Sequence, residues 1–379
     1  MPADRRRQGR LGHSARQRLT PRRIARLTFR FEPARTGENT SGPVPRRTTI
    51  RPGSRWAVIR PFIELPAGLT GLPAADAFLA ARRAGLLRLP LPGAGRTGER
   101  FAALAGLARA DTVLGRLAEG HADAVAILAE LGGPDPGDAA WGVWAAVPNS
   151  VAAVRDGGRW LLTGDRPWCS GAGYCTRALV TAATDDGVRL FAVDLAAPEV
   201  TPRDGTWPAV GMAGSDSRTV RFARAHGEPV GGVGEYVDRP GFWAGGAGVA
   251  ACWYGAAVSV AEQLIGTKPA EPHALAHLGA VDTALGGASA LLDQVASLID
   301  TGADAAVLRR PVRRVRAAVE AAATTTLDHV GRALGARPLC QDADHARRVA
   351  DLTVYLRQSH AERDLADLGT DVVALGADW

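Results

Sequence analysis

Apolar residues recur along the chain with two different spacings. Between residues 58 and 140, and again from Arg239 onward, they return at every third and fourth position, the period of amphipathic helices. Between residues 141 and 227, short apolar runs such as WGVWAAV, RWLLTG and VRLFAVDL are separated by turn sequences such as DGG and TDDG. That pattern predicts β-strands. The predicted order is therefore helices, a β-domain and helices.

The last third of the chain predicts an antiparallel bundle, because short connections join long amphipathic segments. Its first helix contains 21 uncharged residues from Gly241 to Ala261, close to the ~20 needed to cross a bilayer. Glycine and alanine dominate this stretch and contribute little hydrophobicity, so we expect a buried core helix and no membrane span. Helical segments are predicted at residues 239–265, 273–300, 308–334 and 342–358, with a shorter one from residue 360.

The predicted fold class is α+β. At 379 residues the chain is long enough for two or three domains. The chain has 46% apolar residues and four cysteines without CxxC spacing. These figures exclude a fully disordered chain, a collagen-like repeat and a small protein held together by disulfides. The predicted parts are an Arg-rich tail (1–57), a shortened N-terminal helical domain (58–140), an antiparallel middle β-domain (141–230) and a C-terminal helical bundle (231–379).

The net charge of +6 is unevenly distributed. Residues 1–60 hold 16 arginines and three acidic residues, which leaves 29 basic and 36 acidic residues in the remainder. The composition of this tail predicts that it is disordered. It is either a solvated extension, an arm that binds nucleic acid or an anionic membrane, or a transit peptide. The mildly acidic remainder gives no support for nucleic-acid binding. The cysteine usage favours a reducing compartment, and no apolar run follows the basic start, so we expect a cytoplasmic protein.

Several segments resemble the acyl-CoA dehydrogenase family. RWLLTGDRPWCSGAGYCTRALVTA (159–182) is similar to the middle-domain stretch that lies against the flavin, and WPAVGMAGSDSRTVRFARAHGEPVGGVG (207–234) to the segment that follows it. RPGFWAGGAGVAACWYGAA (239–257) resembles the first bundle helix, and residues 334–369 resemble the last two. The resemblance covers about 58–379. It implies the family's three-part architecture, with FAD bound between the middle domain and the bundle.

The resemblance also implies site residues. Family members hold an acyl-CoA thioester beside FAD and abstract its α-proton while a hydride passes to flavin N5. By this resemblance Trp168 stacks on one face of the flavin ring and Ser170 offers its hydroxyl near N5. The backbone of Ala145 and Ala146 meets the pyrimidine edge. The alternative for Trp168 is an aromatic residue packed on the domain core.

Two departures from the family pattern concern the cofactor. The usual acidic, glycine-rich segment that contacts flavin and substrate is replaced by AAVPNSV (145–151). The arginine that reaches a neighbouring subunit's FAD diphosphate is absent, and Lys268 is the only cation near that position. A lysine lacks the bidentate fork of arginine, so looser diphosphate binding is expected.

A third departure concerns the catalytic base. Abstraction of a proton next to a thioester needs a carboxylate, which most family members place after the penultimate bundle helix. That position falls on Ser359, beside His360, with Glu362 as a nearby alternative. A minority of the family places the acid before an arginine at the start of the first bundle helix, where this chain has Asp238. Asp238 is alternatively a helix N-cap, and the segment around His360 a solvated helix face.

Three functions remain open on this sequence. The first is an FAD-dependent acyl-CoA dehydrogenase that passes electrons to an electron-transfer flavoprotein or a similar acceptor. The second is a flavin-dependent monooxygenase or oxidase on the same fold, in which the base is dispensable. The third is a non-catalytic partner subunit of an acyl-CoA dehydrogenase-like complex. A homodimer or homotetramer is expected, with a hetero-oligomer as the alternative.

Overall fold

The computed structural model describes residue 69 and residues 71–377. The predicted tail at residues 1–57 lies outside the described residues, which all belong to one compact unit. The helices are α1 (Ala74–Arg83), α2 (Thr97–Ala110), α3 (Thr112–Leu131), α4 (Glu235–Asp238), α5 (Pro240–Gly266), α6 (Pro272–Ile299), α7 (Ala305–Leu334), α8 (Arg337–Gln341), α9 (Ala343–Tyr355) and α10 (Glu362–Leu375). The strands are β1 (Trp141–Trp144), β2 (Val151–Asp156), β3 (Arg159–Cys169), β4 (Arg177–Thr184), β5 (Gly187–Asp194), β6 (Val200–Arg203) and β7 (Arg218–Val230).

The helices before the sheet divide at Asp111. Its side chain accepts a hydrogen bond of 2.9 Å from the Leu114 N–H and caps α3, as expected for aspartate at a helix N-terminus. α3 ends at Gly132, whose φ of 66° gives the left-handed conformation typical of helix C-termini. α3 packs against both the first strand and the bundle, so this helix can carry side chains into a space between them.

The strands form a mixed sheet that closes on itself. Neighbouring strands pair in the order β4, β2, β3, β7 and β5. The sheet closes because β5 also pairs with β4. β1 pairs with β4 in parallel and β2 meets β4 in a parallel bridge, so the prediction of a wholly antiparallel domain is wrong at this point. Apolar spacing predicts strands without setting their direction, and β1 enters the sheet directly from the helices. The interior is filled by Val151, Leu162, Val180, Phe191 and Phe222.

The glycine-rich stretch lies in α5, at the centre of the bundle. A Cβ on Gly255 would come within 2.0 Å of the Ala105 carbonyl oxygen, so α2 and α5 can approach this closely only at a glycine. α5 and α6 are both long and apolar enough to cross a membrane by length and composition, and the apolar windows of these helices are 83% and 28% buried. The high burial of α5 is that of a core helix.

A buried carboxylate joins the middle domain to the bundle. The Met212 N–H donates a hydrogen bond of 2.5 Å to Asp351 of α9, and the Arg347 guanidinium lies 3.4 Å from the same carboxyl group. Burial raises the pKa of Asp351. This contact fixes the middle domain against the helices that form the opposite side of the site.

Candidate functional site

A cavity of about 770 Å³ opens where α3, the rim of the β-domain and the bundle meet. Its volume is within the range of about 300–1,000 Å³ that is typical of sites for small molecules and cofactors. The wall formed by the β-domain includes Ala145, Ala146, Trp168, Ser170 and Ser217, and the bundle wall includes Phe242, Trp243, Arg316, His360 and Asp364. The structure thus brings four of the predicted cofactor residues together with one predicted catalytic residue.

A buried arginine holds the loop that carries Ala145 and Ala146. The Arg166 side chain is fully buried and donates to the carbonyl oxygens of Ala146, Val147 and Thr181. It also donates over 3.3 Å to the Pro148 carbonyl. Because these partners are uncharged, burial lowers the pKa of Arg166 to about 10. One guanidinium therefore fixes the backbone of the loop whose residues were predicted from the sequence to meet a flavin.

Trp168 is turned out of the sheet by a bulge. The register of β3 against β7 shifts between Arg166 and Cys169, and Trp168 has a φ of 62°. A left-handed conformation is strained for a bulky residue, and bulges commonly redirect side chains beside active sites. The indole is 60% exposed and lines the cavity. The alternative in which it packs on the domain core is wrong.

Ser170 begins a chain of hydroxyl groups. Its Oγ lies 2.9 Å from Ser217 Oγ, which lies 2.8 Å from Ser215 Oγ, and Ser215 donates over 2.7 Å to the Met212 carbonyl. Each hydroxyl has one hydrogen, so Ser217 donates to Ser215 and Ser170 donates to Ser217. The lone pairs of Ser170 are left to face the cavity, where they can accept a hydrogen bond.

His360 stands in the cavity and is oriented by a carboxylate. Its Nδ1 lies 3.1 Å from Asp364 Oδ1, and its backbone N–H donates over 3.0 Å to the other oxygen of the same carboxyl group. A carboxylate accepts and does not donate, so Nδ1 carries the hydrogen of the neutral imidazole. Nε2 then remains able to accept a proton.

The other predicted catalytic and cofactor residues are not in the cavity wall. Asp238 is exposed and ends α4, and it does not cap α5, whose N-cap is Arg239. Lys268 is exposed just beyond α5, and Glu362 is exposed at the start of α10. Ser359 is half-buried, and its Oγ accepts from the Ala361 N–H over 3.2 Å. The roles assigned to these four residues stay predictions.

The sequence analysis missed the charged wall supplied by α3. Arg116, Glu119 and Asp123 line the cavity, and Arg116 and Glu119 are 2.6 Å apart. Burial raises the pKa of Glu119 and of Asp123. A signal for this wall existed, because charged residues at positions i, i+3 and i+7 share one face of a helix that is mostly apolar.

Comparison with known proteins agrees with this architecture. Residues 138–225 match the model of the acyl-CoA dehydrogenase middle domain, and that domain is here followed by the expected helical bundle. Residues 138–225 thus match a middle domain of the acyl-CoA dehydrogenase type. The resemblance inferred from the sequence is thereby confirmed. No curated protein matches the chain.

Solved structures share the fold at low sequence identity. The dibenzothiophene monooxygenase TdsC from Paenibacillus sp. A11-2, solved with FMN and indole, gives a TM-score of 0.65 at 19% identity, covering 78% of this chain and 94% of that one. A nitrososynthase from Micromonospora carbonacea var. africana gives 0.69 at 21% identity, over 84% and 99%. The methanesulfinate monooxygenase MsuC from Pseudomonas fluorescens gives 0.68 at 17% identity, over 83% and 99%. The chain thus has the fold of flavin-dependent oxidoreductases.

Proposed function

We propose that the chain is a flavin-dependent monooxygenase with its flavin in the cavity between the middle domain and the bundle. The observation that carries this proposal is His360, which lines the cavity and directly follows Ser359, the position where most of the family supplies a glutamate. The aspartate that the family's minority pattern would use, Asp238, is exposed outside the cavity wall. A monooxygenase does not need a carboxylate to remove the α-proton of a thioester, so this arrangement suits it better.

The residues present fit a flavin ring. Trp168 offers an exposed aromatic face suited to stacking, and Ser170 offers an acceptor through its hydroxyl chain. Arg166 holds the Ala145–Ala146 backbone in one conformation. Lys268, the predicted diphosphate contact, lies outside the cavity wall. This placement favours FMN, with one phosphate, over FAD, and FMN is also the cofactor in the TdsC complex.

When bound, reduced flavin supplies two electrons for the activation of O₂ and the transfer of one oxygen atom to a substrate. The chain's own residues supply orientation and proton handling. Ser170, whose hydroxyl donates along its chain to Ser217, would accept a hydrogen bond from an N–H of the reduced ring. His360, held by Asp364 through Nδ1, moves a proton at Nε2. The aromatic side chains Phe242 and Trp243 give this space an apolar lining.

An acyl-CoA dehydrogenase is the second candidate, and the match of residues 138–225 to the family's middle domain favours it. In that reaction a carboxylate would have to reach the α-carbon of a thioester. Asp364 is the carboxylate beside His360 in the cavity wall. The two candidates differ in their reductant, because a dehydrogenase is reduced by its substrate and a monooxygenase by reduced flavin or a reductase.

Three measurements on the purified full chain separate these functions. We expect FMN to bind with quenching of its fluorescence, acyl-CoAs to leave the flavin absorbance unchanged without oxygen, and NADH with a flavin reductase to support substrate-dependent oxygen uptake. Anaerobic bleaching by an acyl-CoA would overturn the monooxygenase proposal in favour of the dehydrogenase. A preparation that binds neither FMN nor FAD would overturn both and leave the non-catalytic subunit.

A further inference from the structure

Two histidines from neighbouring bundle helices meet outside the cavity. The Nδ1 atom of His277 on α6 lies 2.9 Å from the Nδ1 atom of His329 on α7. The ring centroids are 5.0 Å apart, and the rings are inclined at 69°. Both side chains are half-buried where α6 packs against α7, and neither lines the cavity. The fold therefore brings together two nitrogen donors that lie 52 positions apart in the sequence and have no part in the proposed flavin site.

The contact between the two rings depends on a single hydrogen. In a neutral imidazole one nitrogen carries a hydrogen and the other accepts one. At this separation one Nδ1 therefore donates and the other accepts. A hydrogen on both Nδ1 atoms would set two donors against each other, and the two imidazolium charges would repel. A cation that replaces the shared hydrogen instead receives a lone pair from each ring.

The separation of the two nitrogens fits a metal ion of square-planar or tetragonal geometry. Imidazole nitrogens bind metal ions at about 2.0–2.1 Å. Two such ligands at right angles to each other lie about 2.9 Å apart, whereas two ligands at the tetrahedral angle lie about 3.3–3.4 Å apart. The Nδ1 atoms of His277 and His329 match the first arrangement. Ligands at right angles are typical of Cu²⁺ and Ni²⁺, and tetrahedral ligands are typical of Zn²⁺.

A third imidazole lies one helical turn before His277. His273 and His277 are four residues apart on α6, so both lie on the same face of that helix. Helices use this spacing to present two histidines to one metal ion. As the side chains stand, no group of three or more His, Cys, Asp or Glu residues in the described part of the chain is placed to hold a metal ion, so a third ligand requires a different rotamer of His273. Its side chain is 92% exposed, and its Nε2 lies 4.0 Å from Glu271. Because an exposed ion pair of this kind contributes little, the ring is able to turn towards the other two.

We propose that His277 and His329 bind a divalent transition-metal ion of the Cu²⁺ or Ni²⁺ class through their Nδ1 atoms, with His273 as the third ligand. The hydrogen shared by the two rings moves to Nε2 of the ring that carries it, so both Nδ1 lone pairs face the ion. Water fills the remaining positions. Because the ion joins α6 to α7, its binding stabilises the folded bundle. The site lies outside the cavity, and the proposal does not depend on the flavin.

Titration of the full chain, produced without a histidine tag, with copper(II) sulfate tests this inference. We expect one Cu²⁺ ion per chain and a tetragonal electron paramagnetic resonance spectrum with nitrogen ligands. Ni²⁺ at about 100 times its dissociation constant should raise the melting temperature by about 5 °C. His277→Gln and His329→Gln should each weaken Cu²⁺ binding at least tenfold, and His273→Gln should remove one nitrogen from the spectrum. His226→Gln, an exposed histidine on β7, is the matched control and should leave binding unchanged.

A wild-type spectrum without nitrogen ligands overturns the inference without any variant. So does Cu²⁺ binding by His277→Gln or His329→Gln that equals the wild type, which would mark an adventitious ion only. An unchanged nitrogen count in His273→Gln rejects the third ligand. Circular dichroism in EDTA establishes that each variant is folded, so that lost binding is not mistaken for unfolding. Because the site lies outside the cavity, FMN binding should stay within twofold of wild type in all of these variants.

Discussion

Replacing Arg166 by methionine tests what holds the flavin-facing loop in place. The guanidinium is fully buried and donates to the carbonyl oxygens of Ala146, Val147, Pro148 and Thr181. Methionine keeps much of the length of the side chain and removes every donor. The loop carbonyls would lose their partners, so the loop should no longer be held in the single conformation that places its backbone at the cavity wall.

The size of the effect follows from two opposing contributions. Four hydrogen bonds from a charged donor, at the low end of about 1.5 kcal/mol each, contribute roughly 6 kcal/mol. Burial lowers the pKa of Arg166 to about 10, which corresponds to a cost of about 3 kcal/mol for the charged form. The net stabilisation is therefore about 3 kcal/mol. At roughly 2 °C per kcal/mol for a chain of this size, the melting temperature should fall by about 6 °C.

Thermal unfolding of the flavin-free protein and a fluorescence titration with FMN together measure this prediction. We expect Arg166→Met to melt about 6 °C lower and to bind FMN at least tenfold more weakly, with Arg166→Lys in between because lysine keeps the charge but loses the fork. Arg159→Met, an exposed position on the same strand, is the control. If FMN affinity stays within twofold of wild type, the guanidinium does not shape the flavin site.

Four further predictions separate stability from function. Trp168→Ala should weaken FMN binding by about 1 kcal/mol, measured by fluorescence titration, and leave the melting temperature within about 1 °C because the indole is exposed. Burial lowers the pKa of His121 to about 4, so the unfolded chain binds more protons between pH 6.5 and 4. Urea unfolding should show about 3 kcal/mol of stability lost over that range and retained in His121→Gln. Asp123→Asn should melt no lower than wild type in a thermal scan, since burial disfavours the carboxylate. Asp238→Asn should leave FMN binding and oxygen uptake within twofold of wild type, and a larger loss would return this residue to the mechanism.

Local signals predicted the parts of the site that lie close together in sequence. The spacing of apolar residues predicted α5 at 239–265, and the helix is Pro240–Gly266. The segment around Trp168 and Ser170 resembled a flavin-binding stretch, and both residues line the cavity. What the sequence could not supply was the reason that Trp168 faces outward, because the bulge depends on how β3 pairs with β7.

Contacts between residues that are distant in the sequence were not predicted. The role of Arg166 was not predicted, since its carbonyl partners lie 15 to 20 residues away in the chain. Asp123 of α3 and Gly245 of α5 face each other. The helical period predicts which face of its own helix each residue occupies, but it does not predict which faces of two helices pack together. Asp238 had a plausible position in the family's pattern. The short helix α4, which no apolar repeat signalled, turns it towards solvent.

The charged wall of the cavity opposes the stability of the fold. Burial raises the pKa of Glu119 and of Asp123, so the native state binds protons more tightly there than the unfolded chain does. The contribution of these two groups to stability therefore rises as pH falls through their native pKa values, opposite in sign to that of His121. Both groups therefore contribute less to the free energy of folding at neutral pH than at acidic pH. Such a loss of stability is commonly retained where a charged group is needed for binding or proton transfer.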